Sequence, residues 1–323
     1  MQCSFRTESL NKEIKLNKKL LIIAGPTAVG KTSLSISLAK KLNGEIVSAD
    51  SMQIYKELNI GTAKPGDDEK EGIPHHMIDI CSPESRFSVA QYVKEAGNCI
   101  KKIHASGKLP IIVGGTGLYI DNLIHSNDFG DFDIDIEIRE KLMKESIEFG
   151  NESLLKKLYA FDPEYASKLH VNDTKRIVHA LEIFYATGKT HSQIIADSRK
   201  KPSEYDFLYC VLNCSSRELL YDRINLRVDK MMKNGLLEEA KKVVSSDWYK
   251  GSTASQAIGY KEFEAFFSGD ASLDSCVELL KQRSRNYAKR QLTWFRHRDE
   301  ARFYNVDLLE NIEDTILNDF EMI

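Results

Sequence analysis

The 323-residue sequence contains no apolar run near the roughly 18–20 residues of a bilayer-crossing helix, so a membrane protein is not expected. It contains no Cys-x-x-Cys pair. Cys3, Cys81, Cys99, Cys210, Cys214 and Cys276 are scattered, which argues against a disulfide framework or zinc ribbon and for free buried thiols in a reducing cytoplasmic setting. Positive charge is not in excess either. Lys+Arg number 45 against 48 Asp+Glu, a formal charge of −3, which excludes a globally basic nucleic-acid coat but not a local basic face. Internal repeats and low-complexity segments are missing. The first twenty residues lack the apolar stretch of roughly 7–15 residues that a signal peptide needs, so residues 1–19 read as a polar leader. The neighbours His75 and His76 point apart in most conformations and make a poor metal pair. The balance, 42 % apolar and 29 % charged, is that of a globular protein long enough for about two domains.

Leu20–Ala24 is a short apolar run closed by Gly25-Pro26, the pattern of a buried strand. A helix is expected from Lys31 to Leu42, with Leu34, Leu38 and Leu42 on one face and Asn43-Gly44 as its stop. Glu45–Ala49 predicts a second strand and Met77–Ile80 a third. Ser88 predicts an N-cap for a helix carrying Val89, Tyr92, Val93, Ala96, Ile100 and Ile103, and Pro110–Val113 another strand. This alternation predicts an α/β core with a parallel sheet. Strand signal disappears from about residue 121, where short helical patterns take over, and returns at Phe207–Leu212. The remainder reads as helical, with a long stretch from Leu273 to Arg298. The expected organisation is a core of residues 20–120 and 205–310, a mostly helical insertion over 121–204, and a tail over 311–323.

Gly25-Pro26-Thr27-Ala28-Val29-Gly30-Lys31-Thr32 fits G-x-x-x-x-G-K-[ST] between a strand and a helix. Glycines let backbone N–H groups curl around an anion, and the helix N-terminus adds partial positive charge. Lys31 supplies a point charge, and the Thr32 hydroxyl suits Mg²⁺. Such a cradle grips linked phosphoryl groups, which a nucleoside triphosphate and an allylic diphosphate both offer. Asp50, at the carboxyl end of the second strand, is expected in the same crevice as a general base, or else as a helix cap for the segment after it. Lys64 offers a second ammonium, or belongs to a solvated loop. Gly114-Gly115-Thr116-Gly117 gives close backbone approach at the crevice edge.

The blocks GPTAVGKT, SADSMQIYKELNIGTAKP, PHHMIDI, LPIIVGGTGLY, NDTKRIVHALEIFYATGK, QAIGYKE and YAKRQLTWFR follow one another in this order. With them the chain closely resembles the tRNA dimethylallyltransferase (tRNA isopentenyltransferase) family from about Leu20 to about Arg298. The resemblance implies a P-loop nucleoside-triphosphatase-like core with a helical insertion. It implies transfer of a dimethylallyl group from dimethylallyl diphosphate to the exocyclic amine of the adenosine 3′ of the anticodon, in tRNAs reading codons that begin with U. It implies Asp50 and Thr27 at the reacting centre, and Gly25–Thr32 with Arg223 on the diphosphate. The tRNA anticodon stem-loop would meet Asp50, Ser51, Met52, Gln53, Thr116 and Arg139, together with Lys175, Arg176, Ile177, Val178 and His179. Met52 and His179 stand where many members carry arginine. A monomer is the family's usual state.

The basic run Gln282–Arg298 holds Arg283, Arg285, Lys289, Arg290, Arg296 and Arg298 among Tyr287, Trp294 and Phe295. That suits an RNA groove, or a helix with a core stripe of Leu280, Tyr287, Gln291 and Phe295 and a solvated basic face. Three rivals use the same cradle: a small-molecule kinase, a prenyltransferase acting on free adenylate, and an RNA-binding nucleotide switch.

Overall fold

The computed structural model describes residues 18–125, 136–200 and 202–323. One sheet holds β1 (Lys19–Ala24), β2 (Gly44–Ser48), β3 (His75–His76), β4 (Leu109–Gly114), β5 (Asp206–Asn213) and β6 (Ala301–Asn305). Their order is β3-β2-β4-β1-β5-β6 and every pairing is parallel, with Leu21 of β1 opposite Ile111 of β4 and Leu208 of β5. Parallel neighbours need crossovers, and the helices Lys31–Lys41 and Val89–Ala105 supply two of them. The central strand β1 is covered on both faces, which is why Leu20–Ala24 is apolar without alternation. Leu34 and Leu38 join Leu21, Ile23 and Ile111 in the core. Ser88 caps its helix by accepting from the Gln91 N–H, and the Gln91 side chain accepts in return from the Ser88 N–H.

Three stretches differ from expectation. The strand expected at Met77–Ile80 lies earlier, at His75–His76, because Ile46 and Val47 pair there. Met77 and Asp79 then take positive φ, 63° and 56°, which ends an extended run. After Arg298 the chain forms the edge strand β6 rather than more helix. The segment expected as a tail contains the helix Ile312–Glu321, which sinks Ile316 and Phe320 into the main core at four-residue spacing. Of the expected leader, only Lys18 and Lys19 fall within the described residues, and Lys19 opens β1.

The chain divides into two compact units, one made of the chain up to Asp121 and from Tyr205 onward, the other of Asn122–Glu204. The second contains the helices Ile136–Phe149, Asn151–Phe161, Thr174–Thr187 and His191–Lys200, packed on Leu142, Leu154, Leu158, Ile177 and Leu181. Glu182, wholly buried in this unit, accepts from Arg139 Nε (2.5 Å) and Nη2 (2.8 Å). Among the described residues no helix is long and apolar enough to cross a membrane.

Candidate active site

The carboxyl ends of β1, β2 and β4 meet at one edge of the sheet, where ligands of parallel α/β folds bind. Beyond β1 the chain turns at Gly25, whose φ of 141° is closed to other residues. A Cβ there would also stand 2.5 Å from the Leu212 carbonyl oxygen. Ala28 is held at φ 65°, a strained position for a residue with a Cβ, and Gly30 at 99° leads into the helix Lys31–Lys41. The ends of β2 and β4 close on each other because Gly114 has no side chain: a Cβ would lie 2.1 Å from Ala49 O. Ala49 N donates to Val113 O (2.8 Å) and Thr116 N to Ala49 O (3.1 Å).

A cavity of about 780 Å³ opens there, and Thr27, Ala28, Val29, Gly30, Lys31 and Thr32 line one wall. Lys31 Nζ donates to the carbonyls of Gly25 (3.0 Å) and Pro26 (2.7 Å), folding back onto the loop. Burial, and then the Arg227 guanidinium, pull this ammonium down to about 7 against the opposing field of Asp50. Asp50, Ser51, Met52 and Gln53 line another part of the wall. Asp50 Oδ1 accepts from Met52 N (2.9 Å) and Gln53 N (3.3 Å), so the cap reading of this residue holds for one oxygen. Oδ2 makes no hydrogen bond among the described residues and remains an acceptor for a proton. Thr116 Oγ1 accepts from Ser51 N (3.1 Å) and pins the start of the Asp50 turn.

Gln291 lies on the helix Leu273–Phe295 and is almost fully buried, bridging two loops. Its Oε1 accepts from Thr27 N (3.0 Å) and its Nε2 donates to Gly115 O (3.0 Å). A core stripe alone does not anticipate that bridge. Tyr287 and Arg290 line the cavity from the same helix, the guanidinium 5.6 Å from the ring centre. Of the rest of the basic run, Lys289 and Arg296 are exposed and three arginines are engaged within the protein. Arg283 bonds to Glu262, Arg285 to Asn225 and Arg298 to Asp121, while Phe295 is core.

Several expected contacts fall elsewhere. Arg223 is not among the lining residues, and its charge is felt by Cys214 and Asp307. Arg227, one turn further along the helix Arg217–Lys233, lines the cavity and is felt by Lys31. Burial pulls its guanidinium below its ordinary range. Lys64 donates to Tyr55 O, Asn59 Oδ1 and Asp79, and so staples its own loop. Ile177 and Val178 point into the core of the second unit, leaving Lys175, Arg176 and His179 as the exposed members of that run.

Residues 53–298 match the model of the IPP transferase family. The tRNA dimethylallyltransferase of Caldanaerobacter subterraneus subsp. tengcongensis is 48 % identical over 307 residues, 94 % of this chain and 97 % of that protein. That of Alkaliphilus oremlandii is 47 % identical over 309 residues, 95 % and 98 % of the two chains. Among solved structures, the full-length tRNA isopentenylpyrophosphate transferase from Bacillus halodurans matches with a TM-score of 0.69 and 41 % identity, over 94 % of this chain and 95 % of that one. A eukaryotic dimethylallyltransferase acting on tRNA matches with a TM-score of 0.81 and 33 % identity, over 94 % and 80 %. With identity at this level over nearly the whole length, the chain belongs to the IPP transferase family.

Proposed function

We propose that this protein transfers the dimethylallyl group of dimethylallyl diphosphate to the N6 amine of the adenosine immediately 3′ of the anticodon, in tRNAs reading codons that begin with U. One observation carries the reading. A single cavity combines the phosphate cradle, a carboxylate with one oxygen open, and an apolar wall of Ile224, Val228, Met231, Leu280 and Ile258 that suits a five-carbon chain. The carbon–oxygen bond of the allylic diphosphate breaks with its electron pair leaving on the diphosphate. The backbone N–H groups of the loop, Lys31 and Arg227 face the charge that develops there. The adenine amine is a weak nucleophile because its lone pair is delocalised into the ring. As its nitrogen bonds to the allylic carbon, Asp50 Oδ2 takes the proton it sheds. Thr27 stands in the cradle at the reacting end.

Mg²⁺ fits as an ion held mainly by substrate. No group of three His, Cys, Asp or Glu side chains that would hold a metal gathers among the described residues, and Thr32 presents a hydroxyl beside the cradle. Mg²⁺ is ordinarily bound by few protein ligands together with phosphate oxygens and water. When bound, it adds positive charge against the departing diphosphate.

For the RNA, Asp50–Gln53 form the proposed receiving wall for the base, and Thr116, which is not itself among the lining residues, holds that wall by accepting from Ser51 N. Exposed Lys175, Arg176 and His179 offer phosphate contacts to an anticodon stem-loop. Arg139 brings a half-exposed guanidinium already paired to Glu182. A loop base is cheaper to extrude into such a cavity than a base in a duplex. Incubation with labelled dimethylallyl diphosphate and either unmodified tRNA or AMP tests the reading. Label in tRNA is expected. Label in AMP alone, or ATP hydrolysis without prenyl transfer, would overturn it.

A further inference from the structure

Glu239, on the helix Leu236–Val244, is not among the residues lining the cavity, yet its carboxylate is heavily used. Oε1 accepts from Ile60 N (2.8 Å), Gly61 N (2.9 Å) and the Tyr260 hydroxyl (2.9 Å). Oε2 accepts from Ile60 N (3.0 Å) and Asn59 N (3.2 Å). Three consecutive backbone N–H groups therefore wrap one carboxylate, a concave anion-binding arrangement built from charge-assisted bonds. The Tyr260 ring also packs closely on the turn. A Cβ on Gly61 would stand 2.6 Å from Tyr260 Cζ.

The same turn runs on into the cavity wall. The carbonyls of Thr62 and Ala63 both accept from Gln53 Nε2, at 3.2 and 3.3 Å. Two carbonyls facing one amide dictate which end is nitrogen, because the flipped amide would set three oxygens together. Gln53 Oε1 accepts from Ser48 Oγ (3.2 Å), which uses one of its two lone pairs. Gln53 thus lines the cavity near Asp50 with an acceptor whose polarity is set by the turn.

We propose that Glu239 is a positioning residue for the acceptor base: it holds the 59–63 turn so that Gln53 presents its carbonyl oxygen, and not its NH₂, to an exocyclic amine. This rests on the adenosine-acceptor reading above. An amide oxygen matches the amine of adenine and repels the O6 of guanine, so the turn serves specificity. Glutamine at position 239 cannot replace glutamate, because its own NH₂ would face backbone donors.

The test uses the full chain and two anticodon stem-loop RNAs, one with adenine and one with purine, which lacks the amine, at the acceptor position. Binding is followed by fluorescence anisotropy in the parent, Glu239→Gln, Gln53→Ala and the double variant. A titration with an unreactive diphosphate analogue checks the cradle in each. The parent is expected to favour the adenine RNA by about tenfold, the contribution of one hydrogen bond. Glu239→Gln should cut that preference to within about twofold with the analogue still bound normally, and the double variant should be no worse than Gln53→Ala. Should Glu239→Gln fail to fold, Gly61→Ala displaces the same turn against Tyr260 and should lose the same preference. A folded variant that keeps the preference, a double variant whose losses multiply, or a parent without any preference overturns the role of Glu239. A parent that transfers no prenyl group to RNA overturns the adenosine-acceptor reading instead.

Discussion

Diphosphate binding should be coupled to protonation of Lys31. Burial and the Arg227 guanidinium hold its ammonium at about 7, below the ordinary 10.5, so near neutrality the free protein carries it about half protonated. A bound diphosphate places several negative charges against it and restores ordinary basicity. Between pH 7 and the ordinary lysine range the complex therefore holds more protons than the free protein, and affinity must fall as pH rises through that window. From pH 7 to pH 9 the protonated fraction of the free form drops from about one half to about one hundredth, which weakens binding about fiftyfold. The phosphate's own ionisation, with a pKa near 6, is nearly complete there and adds little. Isothermal titration with an unreactive diphosphate analogue, in two buffers of different ionisation enthalpy, counts the protons directly. Uptake approaching one proton at pH 8 is expected. Lys31→Met should bind more weakly at pH 7 and show no slope. A slope that survives in Lys31→Met, or a parent affinity unchanged between pH 7 and 9, refutes the reasoning.

Asp50→Asn keeps an acceptor for the Met52 and Gln53 N–H groups and removes the proposed base, so RNA binding should persist while single-turnover transfer falls by about 10²–10⁴. Near-parent transfer would remove Asp50 from that role. Arg227→Ala should raise KM for the diphosphate by about tenfold or more, whereas Arg223→Ala should leave it unchanged, because of these two arginines Arg227 lines the cavity and Arg223 does not. Gln291→Ala leaves Thr27 N and Gly115 O without their partner, and should cost about 1–3 kcal/mol by denaturant titration and also weaken diphosphate binding. Burial raises the Glu182 carboxyl, but hydrogen bonds from His179 and Arg139 outweigh it and hold the group below the usual carboxylate range. That stabilisation is present above the ordinary carboxylate pKa and is lost as pH falls through the lower folded value. The melting-temperature gap between the parent and Arg139→Ala should therefore narrow on acidification.

The parts of the fold that the sequence announces are those with local causes. Leu20–Ala24 is uninterruptedly apolar because β1 is covered on both faces, and Ser88 announces a helix start because its hydroxyl and Gln91 cap each other. Edge strand β6 escapes such reading. Ala301–Asn305 has charged and half-exposed positions, and only pairing with β5 makes it extended. Gly25–Thr32 is legible because its chemistry is contiguous. Arg227 is not, since Arg223 and Arg227 both flank the buried stripe of Leu220, Ile224 and Val228, and helical periodicity treats them alike. Distance along the helix decides which one reaches the cavity. Gln291 shows the same limit: burial is foreseeable from its spacing, but bonds to Thr27 and Gly115 join residues far apart in the chain.

Nucleoside mass spectrometry of unmodified tRNA, after incubation with dimethylallyl diphosphate and either the parent or Asp50→Asn protein, tests donor, acceptor and base together. The expected result is an adenosine heavier by one dimethylallyl group in place of a hydrogen, beside the anticodon, formed by the parent and nearly absent with Asp50→Asn. Unchanged tRNA with the parent protein, or equal product from both, would contradict prenyl transfer from the cradle with Asp50 as the proton acceptor.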